Sequence, residues 1–160
     1  MNQADDPFAV ADSPRSRSHY YRHVCGLPTL VDQATGRITM RAGSTGAVMM
    51  PADLAQRVKI ELDRRNEGPC PIIGQPRAGV WIYLVRSDLR PILDPAVLAR
   101  LWQARVVVIR DGDIALPSPA PDQRVSRTWI APASTPFRPS GTTVLDCVRE
   151  CLAVSKLRPS

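Results

Sequence analysis

Short apolar runs in this chain come in pairs, and segments with helical spacing separate the pairs. Most runs end at glycine, proline or an Asp-Gly dipeptide, which are common turn residues. Because successive strands joined by short turns pair antiparallel, this arrangement constrains the fold more than any single motif. It predicts the order β-β-α-β-β-α-β-β-(β)-α. The predicted fold class is therefore α+β, with a mostly antiparallel sheet and helices packed on it.

The strands are predicted in three pairs and one single run. Residues 37–51 predict a first hairpin, with Ile38 and Met40 alternating against polar neighbours. Residues 69–86 predict two strands around the turn QPRAG, and residues 105–119 predict a strand, a tight Asp-Gly turn and a returning strand. The four consecutive apolar residues 106–109 favour a central strand that is buried on both faces. Residues 126–132 favour a short edge strand.

Three longer helices and one short helix are predicted from apolar spacing and capping residues. The short helix lies in 18–28 with Ser18 as its N-cap, and the C-terminal helix occupies 140–156. The helix in 51–68 has a clear buried stripe. Its members are Leu54, Ala55, Val58 and Leu62. The helix in 93–104 begins with Asp94 as N-cap and Pro95 at the first position. Its predicted inward-facing residues are Leu98, Leu101 and Trp102.

The chain length of 160 residues fits one domain with short extensions. Residues 1–18 lack periodicity and predict a flexible arm, followed by a single domain over 19–156 and a tail over 157–160. Within the domain, residues 117–139 form a proline-rich segment.

The charge balance favours acidic partners, because the formal net charge is +6. Two of the basic residues are lysines and the other nineteen are arginines, a bias that a high-GC genome imposes on any protein. A mildly basic, solvated surface is the alternative to nucleic-acid binding. No apolar run is long enough for a membrane span, and the N-terminus does not resemble a secretory signal, so we expect a cytoplasmic protein with reduced thiols.

The sequence gives only weak indications of a metal site, a nucleophilic site or an acid-base site. His19 and His23 are spaced i,i+4, as are Cys147 and Cys151, which would suit a zinc site only if the two pairs met. Core packing is the alternative for the cysteines. Cys25 or Cys70 with either histidine would make a Cys–His pair, but no local motif supports it. Four acids lie close to predicted strands, and turn chemistry explains them: Asp32, Asp88, Asp111 and Asp113. No cofactor is predicted.

Arginine next to aromatic residues is the pattern that would bind nucleic acid. Trp81 and Tyr83 share one face of a predicted strand, and arginines precede and follow it. A second strand carries Arg127 and Trp129. The full candidate set is Arg77, Trp81, Tyr83, Arg86, Arg90, Arg127 and Trp129. The alternative, which we favour for Trp81 and Tyr83, is that both rings lie in the core.

The segments GVWIYLV and RVVVIRDGDIALPSP, with a helix between them, resemble bifunctional primase-polymerase domains of the archaeo-eukaryotic primase type. The resemblance covers about 37–132 in topology and 79–119 in residues. In that family the first strand carries a nucleotide-binding His and the second a metal-binding Asp. Here the first strand has no His, and Val108 stands near the Asp position. The resemblance therefore implies a degenerate, catalytically incomplete relative of actinobacterial type.

Three functions follow as expectations. The first is a non-enzymatic, cytoplasmic binding or regulatory protein on a primase-polymerase-like core, with nucleic acid, nucleotide or a protein as partner. The second is a homodimeric protein–protein module without nucleic-acid binding, which pairs through an edge strand or the segment 117–139. The third is a metal-dependent nucleotidyl transferase, for which the catalytic acids are missing.

Overall fold

The computed structural model describes residues 12–119 and 127–156. Most of the predicted arm, part of the proline-rich segment and the predicted tail lie outside these ranges. The described residues form an α+β domain of four helices and eight strands. The helices are α1 (Pro14–His23), α2 (Ala52–Arg65), α3 (Pro95–Gln103) and α4 (Gly141–Lys156). The strands are β1 (Thr29–Val31), β2 (Ile38–Arg41), β3 (Thr45–Pro51), β4 (Ile72–Gln75), β5 (Val80–Arg86), β6 (Val107–Ile109), β7 (Asp113–Leu116) and β8 (Thr128–Ala131).

The strands form two sheets in which all neighbouring strands run antiparallel. One sheet has the order β1-β2-β7 and the other has the order β6-β3-β5-β4-β8. One face of the five-stranded sheet packs against α2, α3 and α4. The other face packs against the three-stranded sheet and α1. The sheet is therefore the middle layer of the domain, with a separate apolar core on each side.

Alternate residues of β5 belong to different cores, as the two-residue period of a strand requires. Tyr83 and Val85 point into the core below the helices, whereas Ile82 and Leu84 point into the core between the sheets. All four are buried. β5 is thus the central strand of the domain, which explains its almost continuous apolar run.

Two predicted hairpins are wrong in their pairing, although their strands exist. β2 pairs with β1 and β7, whereas β3 pairs with β5 and β6. The segments β2–β3 and β6–β7 together make one antiparallel ribbon, which bends where the Ala42 N–H donates to the Gly112 carbonyl at 2.8 Å. Each half of the ribbon enters a different sheet. The physical reason is burial: β3 is apolar along its length and needs cover on both faces, whereas β2 and β7 alternate and need cover on one.

The other strand predictions have mixed outcomes. The β4–β5 hairpin is confirmed, and β8 is an edge strand as expected. The prediction of a central strand in 106–109 is wrong, because β6 lies at the edge of the five-stranded sheet and Val107 is exposed. A short apolar run does not by itself specify how many neighbours a strand will have.

All four predicted helices are present. The ends of α1 and α2 differ from the prediction, and so does the buried face of α3. α1 begins at Pro14 rather than after Ser18, because Ser13 and Ser16 form a reciprocal capping box. The prediction of a flexible arm is therefore wrong for residues 14–18. The buried stripe of α2 is confirmed. This helix ends at Arg65, with Asn66 as its C-cap in the left-handed conformation, instead of at Gly68. None of the helices in the described ranges is long and apolar enough to cross a membrane.

Asp88 closes the N-terminus of α4 from outside the helix. Its carboxylate accepts hydrogen bonds from the Gly141 N–H at 2.7 Å and from the Ser140 hydroxyl. Its own backbone carbonyl accepts from the Thr142 hydroxyl. Burial acts to raise the pKa of Asp88, but the hydrogen bonds from Ser140, Gly141 and Thr142 outweigh it and lower that pKa. The ionised form is therefore the one that holds α4 to the end of β5.

Replacement Asp88→Ala should lower the free energy of unfolding at neutral pH by about 1–2 kcal/mol, as loss of a helix cap does. A carboxyl with a lowered folded-state pKa stabilises above its unfolded pKa and loses that effect as pH falls through the folded value. The difference between variant and wild type should therefore shrink below about pH 4. Urea unfolding across pH measures it. Asp63→Ala, which removes only an exposed i,i+4 pair with Lys59, is the control and should change stability by about 0.5 kcal/mol or less.

Gly141 lies where α4 meets the chain that leaves β5. A Cβ built on it would come within 2.8 Å of the Arg86 carbonyl oxygen and 2.6 Å of the Leu89 side chain. We expect Gly141→Ala to destabilise the fold by about 1–3 kcal/mol, because a backbone atom cannot move aside. Gly43→Ala is the matched control, since nothing lies within 4 Å of its added Cβ. Equal effects of the two variants in urea unfolding would contradict this packing.

Candidate functional site

Tyr83 and Trp81 both face the helices, but only one of them is fully enclosed. Tyr83 is completely buried, and its hydroxyl donates to the Ala55 carbonyl of α2. Burial raises the pKa of this phenol well above its ordinary value. Trp81 is half-buried and packs against the same core. The core alternative is therefore confirmed for Tyr83, which has no ring face available for a base.

Trp129 lies on the opposite face of the five-stranded sheet from Trp81. Its indole packs against the core between the two sheets. The Nε1–H donates to the Tyr21 hydroxyl at 3.0 Å, and the two rings meet edge-on with centroids 5.8 Å apart. The Tyr21 hydroxyl in turn donates to the Pro117 carbonyl at 2.7 Å. Trp129 therefore helps to join β8, α1 and the end of β7, and it does not share a surface with Trp81.

The arginines of the candidate set also lie apart. Arg77 is in the β4–β5 turn, whereas Arg86 is at the other end of β5, about 20 Å away along a strand of this length. Arg86 pairs with Asp88 at 3.7 Å, and the Arg90 carbonyl accepts from Arg110 at 2.9 Å. The predicted nucleic-acid residues are therefore distributed over both faces and both ends of the sheet.

Arg127 is half-buried at the start of β8. Burial lowers its pKa, and the charge of Arg37 acts in the same direction. With the Gln75 amide oriented so that its oxygen accepts, Arg127 donates to it at 3.0 and 3.2 Å. This arginine is thus held against β4.

The residues considered for zinc lie in different layers. His19 and His23 are exposed on α1, with ring centroids 4.1 Å apart. Cys147 is buried below the helix-covered face of the sheet, and Cys151 packs at the border of the same core. The two pairs therefore cannot bind one ion. Among the residues that the structure describes, no three His, Cys, Asp or Glu side chains form a group suited to a metal.

The four acids close to the strands act in turns and caps where the structure gives them contacts. Asp32 accepts from the Ala34 N–H at 2.8 Å, and Asp111 accepts from the Gly112 N–H at 2.8 Å. Asp111 also pairs with Arg41 at 3.2 Å. These contacts agree with the predicted turn chemistry.

The thiols lie in apolar surroundings. Burial raises the pKa of Cys70 to about 12 and that of Cys147 to about 11. Cys70 Sγ lies 3.5 Å from the Leu84 carbonyl oxygen, next to a cavity of about 190 Å³. A thiol in this state is a poor nucleophile, which argues against the Cys–His pair considered for this residue.

The rate of alkylation of Cys70 tests whether its thiol is unreactive in the folded protein. At about pH 8 a thiol with a pKa of about 12 is ionised to roughly one part in ten thousand. We expect iodoacetamide to modify Cys70 in the folded protein at least about a hundredfold more slowly than in urea, as followed by mass spectrometry of the peptide. Comparable rates in both states would instead show an accessible thiol with an ordinary pKa and would contradict this interpretation.

Exposed apolar side chains lie on and around α3, where the sequence pattern predicts a buried face. Leu98 and Trp102 were predicted to face inward with Leu101, but only Leu101 does so. The side chains that we call the α3 surface, with their exposed fractions, are Leu93 (85%), Leu98 (47%), Trp102 (82%) and Val107 (45%). Leu98 and Trp102 are neighbours at i,i+4 on α3, and exposed large apolar side chains that lie together are typical of interaction sites.

A cavity of about 270 Å³ adjoins the α3 surface. It lies between the 89–94 loop, α3 and α4, and its wall includes Leu93, Val97 and Leu145. Two arginines and two aspartates also line it: Arg90, Arg149, Asp94 and Asp146. The region therefore offers an apolar surface with charged groups of both signs at its border, and an apolar centre with a polar rim is the usual composition of a protein interface.

No family model, curated protein or solved structure matches this chain. The interpretation of the α3 surface therefore depends on its own physical properties.

Proposed function

We propose that this chain is a non-enzymatic binding module that works as a homodimer joined through the α3 surface. The observation that carries the proposal is the exposure of Trp102, of which 82% is accessible in the single chain. Tryptophan is the residue type most enriched among interface residues that dominate binding energy. Its exposure in one copy is explained if a second copy covers it.

The sequence order of the α3 surface suits a two-fold arrangement. Leu98 and Trp102 lie at equal distances along α3 on either side of Arg100, on the helix face opposite to the Arg100 side chain. If two copies of α3 pack antiparallel across a two-fold axis near Arg100, Leu98 of each copy meets Trp102 of the other. An isologous contact of this kind covers the apolar residues of both copies at once.

Charge also favours the antiparallel arrangement. Asp94 caps the N-terminus of α3, accepting from the Ala96 N–H at 2.9 Å, and Arg105 follows its C-terminus. In the antiparallel pair the acidic end of one helix lies near the basic end of the other. A parallel pair would bring like charges together. The surface is therefore self-complementary in charge as well as in apolar character.

Pairing through an edge strand is the less favourable route to a dimer. β6 has only three residues, and Arg105 and Arg110 stand close to its two ends. Short edges with flanking charges are a common protection against strand addition. β8, the edge strand that the sequence predicted, is also short, with four residues, and it follows Arg127. The α3 surface is therefore preferred over either edge of the five-stranded sheet.

Nucleic-acid binding, primase-polymerase kinship and a cytoplasmic location are further predictions. Nucleic-acid binding is supported by the net charge of +6, and the candidate arginines and aromatics do not add a common surface to it. The primase-polymerase kinship is supported by the order of sequence segments alone. A cytoplasmic location is part of our proposal, and the four free cysteines are compatible with it.

Sedimentation velocity over a range of protein concentrations tests the dimer. We expect the wild type to sediment as a reversible dimer and Trp102→Gln to raise the dissociation constant at least about tenfold, as loss of a dominant interface residue does. Ile60→Gln is the matched control, because Ile60 is an exposed apolar residue on α2. It should leave the constant unchanged.

Thermal unfolding checks that both variants remain folded, and the exposure of both side chains predicts that they do. A wild type that stays monomeric at every concentration would overturn the proposal. So would a dimer that Trp102→Gln does not weaken.

A further inference from the structure

A second cavity lies between α1 and β1, on the opposite side of the domain from the α3 surface. Its volume is about 400 Å³, which is in the range of small-molecule sites. One wall is the exposed face of α1 and the other includes Leu30, whose side chain is 71% exposed. The adjoining hydroxyls of Ser18 and Thr29 are buried and bonded to each other at 2.7 Å.

Basic side chains dominate the α1 wall. Arg15, His19, Arg22 and His23 line the cavity, and their spacing places them along one face of the helix. No aspartate or glutamate is among the described residues that line it. The acid nearest in sequence to the start of α1, Asp12, is already bonded to Arg17, whose Nε donates at 3.1 Å. The cavity is therefore positively charged without an internal counter-charge.

The basic side chains of α2 differ from those of α1, because acidic side chains of the same helix neutralise them. Lys59 pairs with Asp63 at 3.1 Å, and Arg64 pairs with Glu61 at 3.2 Å. Neither Arg15 nor Arg22 has such a pair with any residue in 12–119 or 127–156. The basic groups of α1 thus converge on a cavity, whereas those of α2 are paired on the surface.

We infer that this cavity binds the di- or triphosphate group of a small molecule. Arg15 and Arg22 are two turns apart, about 10 Å along the helix, with His19 between them. This spacing lets two guanidinium groups hold a chain of phosphates from both ends, which a single phosphate would not require. Leu30 offers an apolar contact to the rest of the ligand, such as the base of a nucleotide.

A small molecule fits the site better than a nucleic-acid strand. α1 has only ten residues, so its basic face is short. The cavity wall contains no Trp, Tyr or Phe among the described residues on which successive bases could stack. A strand-binding groove would need both a longer basic track and such rings.

Isothermal titration calorimetry of the full chain with inorganic pyrophosphate, with ADP and with a single-stranded oligonucleotide tests the inference. We expect pyrophosphate and ADP to bind one per chain. Arg15→Gln/Arg22→Gln should weaken both at least about tenfold, because each arginine makes charge-assisted hydrogen bonds. Lys59→Gln/Arg64→Gln removes the same charge from α2 and should leave both affinities unchanged.

The ligands distinguish free polyphosphate from a nucleotide. If the site takes nucleotides, Leu30→Gln should weaken ADP several-fold and leave pyrophosphate unaffected; if it takes free polyphosphate, pyrophosphate should bind at least as tightly as ADP. Absence of binding by both ligands would overturn the inference. It would also be overturned if both double variants weakened binding equally, or if the oligonucleotide bound more tightly than either small ligand.

Discussion

The burial of both faces of the five-stranded sheet is the constraint on which the rest of the structure depends. Residues of β5 alternate between a core under three helices and a core against the second sheet. The Tyr83 hydroxyl ties this strand to α2, and Trp129 joins the other face to Tyr21 of α1. Because the sheet is the middle layer, neither of its faces can serve as a binding platform. Groups available to partners must lie on the outer layers.

The two surfaces that we assign to function belong to different outer layers. The α3 surface is on the side of the helices, and the α1 cavity is on the side of the three-stranded sheet. A dimer joined through α3 would therefore leave the α1 cavity of each copy open. The buried Arg138 reinforces the second layer, because its guanidinium donates to the carbonyls of Cys25, Thr135 and Phe137. Those bonds hold the chain after β8 against the end of α1.

Local sequence signals predicted the elements well and their partners less well. The stripe of α2, the Asp94 cap and the β4–β5 hairpin could be identified, since each depends on residues close in sequence. The strand pairing in 37–51 and 105–119 could not be predicted, because the AGSTG and Asp-Gly turns specify a bend and not which sheet each arm enters. Trp102 was misplaced for a related reason: α3 is short, and a rotation of one residue exchanges Val97 and Leu101 for Leu98 and Trp102 on the buried face.

The sequence by itself determined the fold class, the positions of most helices and strands, and the composition of the basic α1 segment. These features follow from spacing, capping and turn chemistry, which act over a few residues. Only the tertiary structure decided that Tyr83 is enclosed, that Trp81 and Trp129 lie on opposite faces, and that Trp102 is exposed. It also decided that Arg15 and Arg22 face a cavity. Those outcomes depend on which layers cover each face, and layer packing is set by contacts between residues that are distant in sequence.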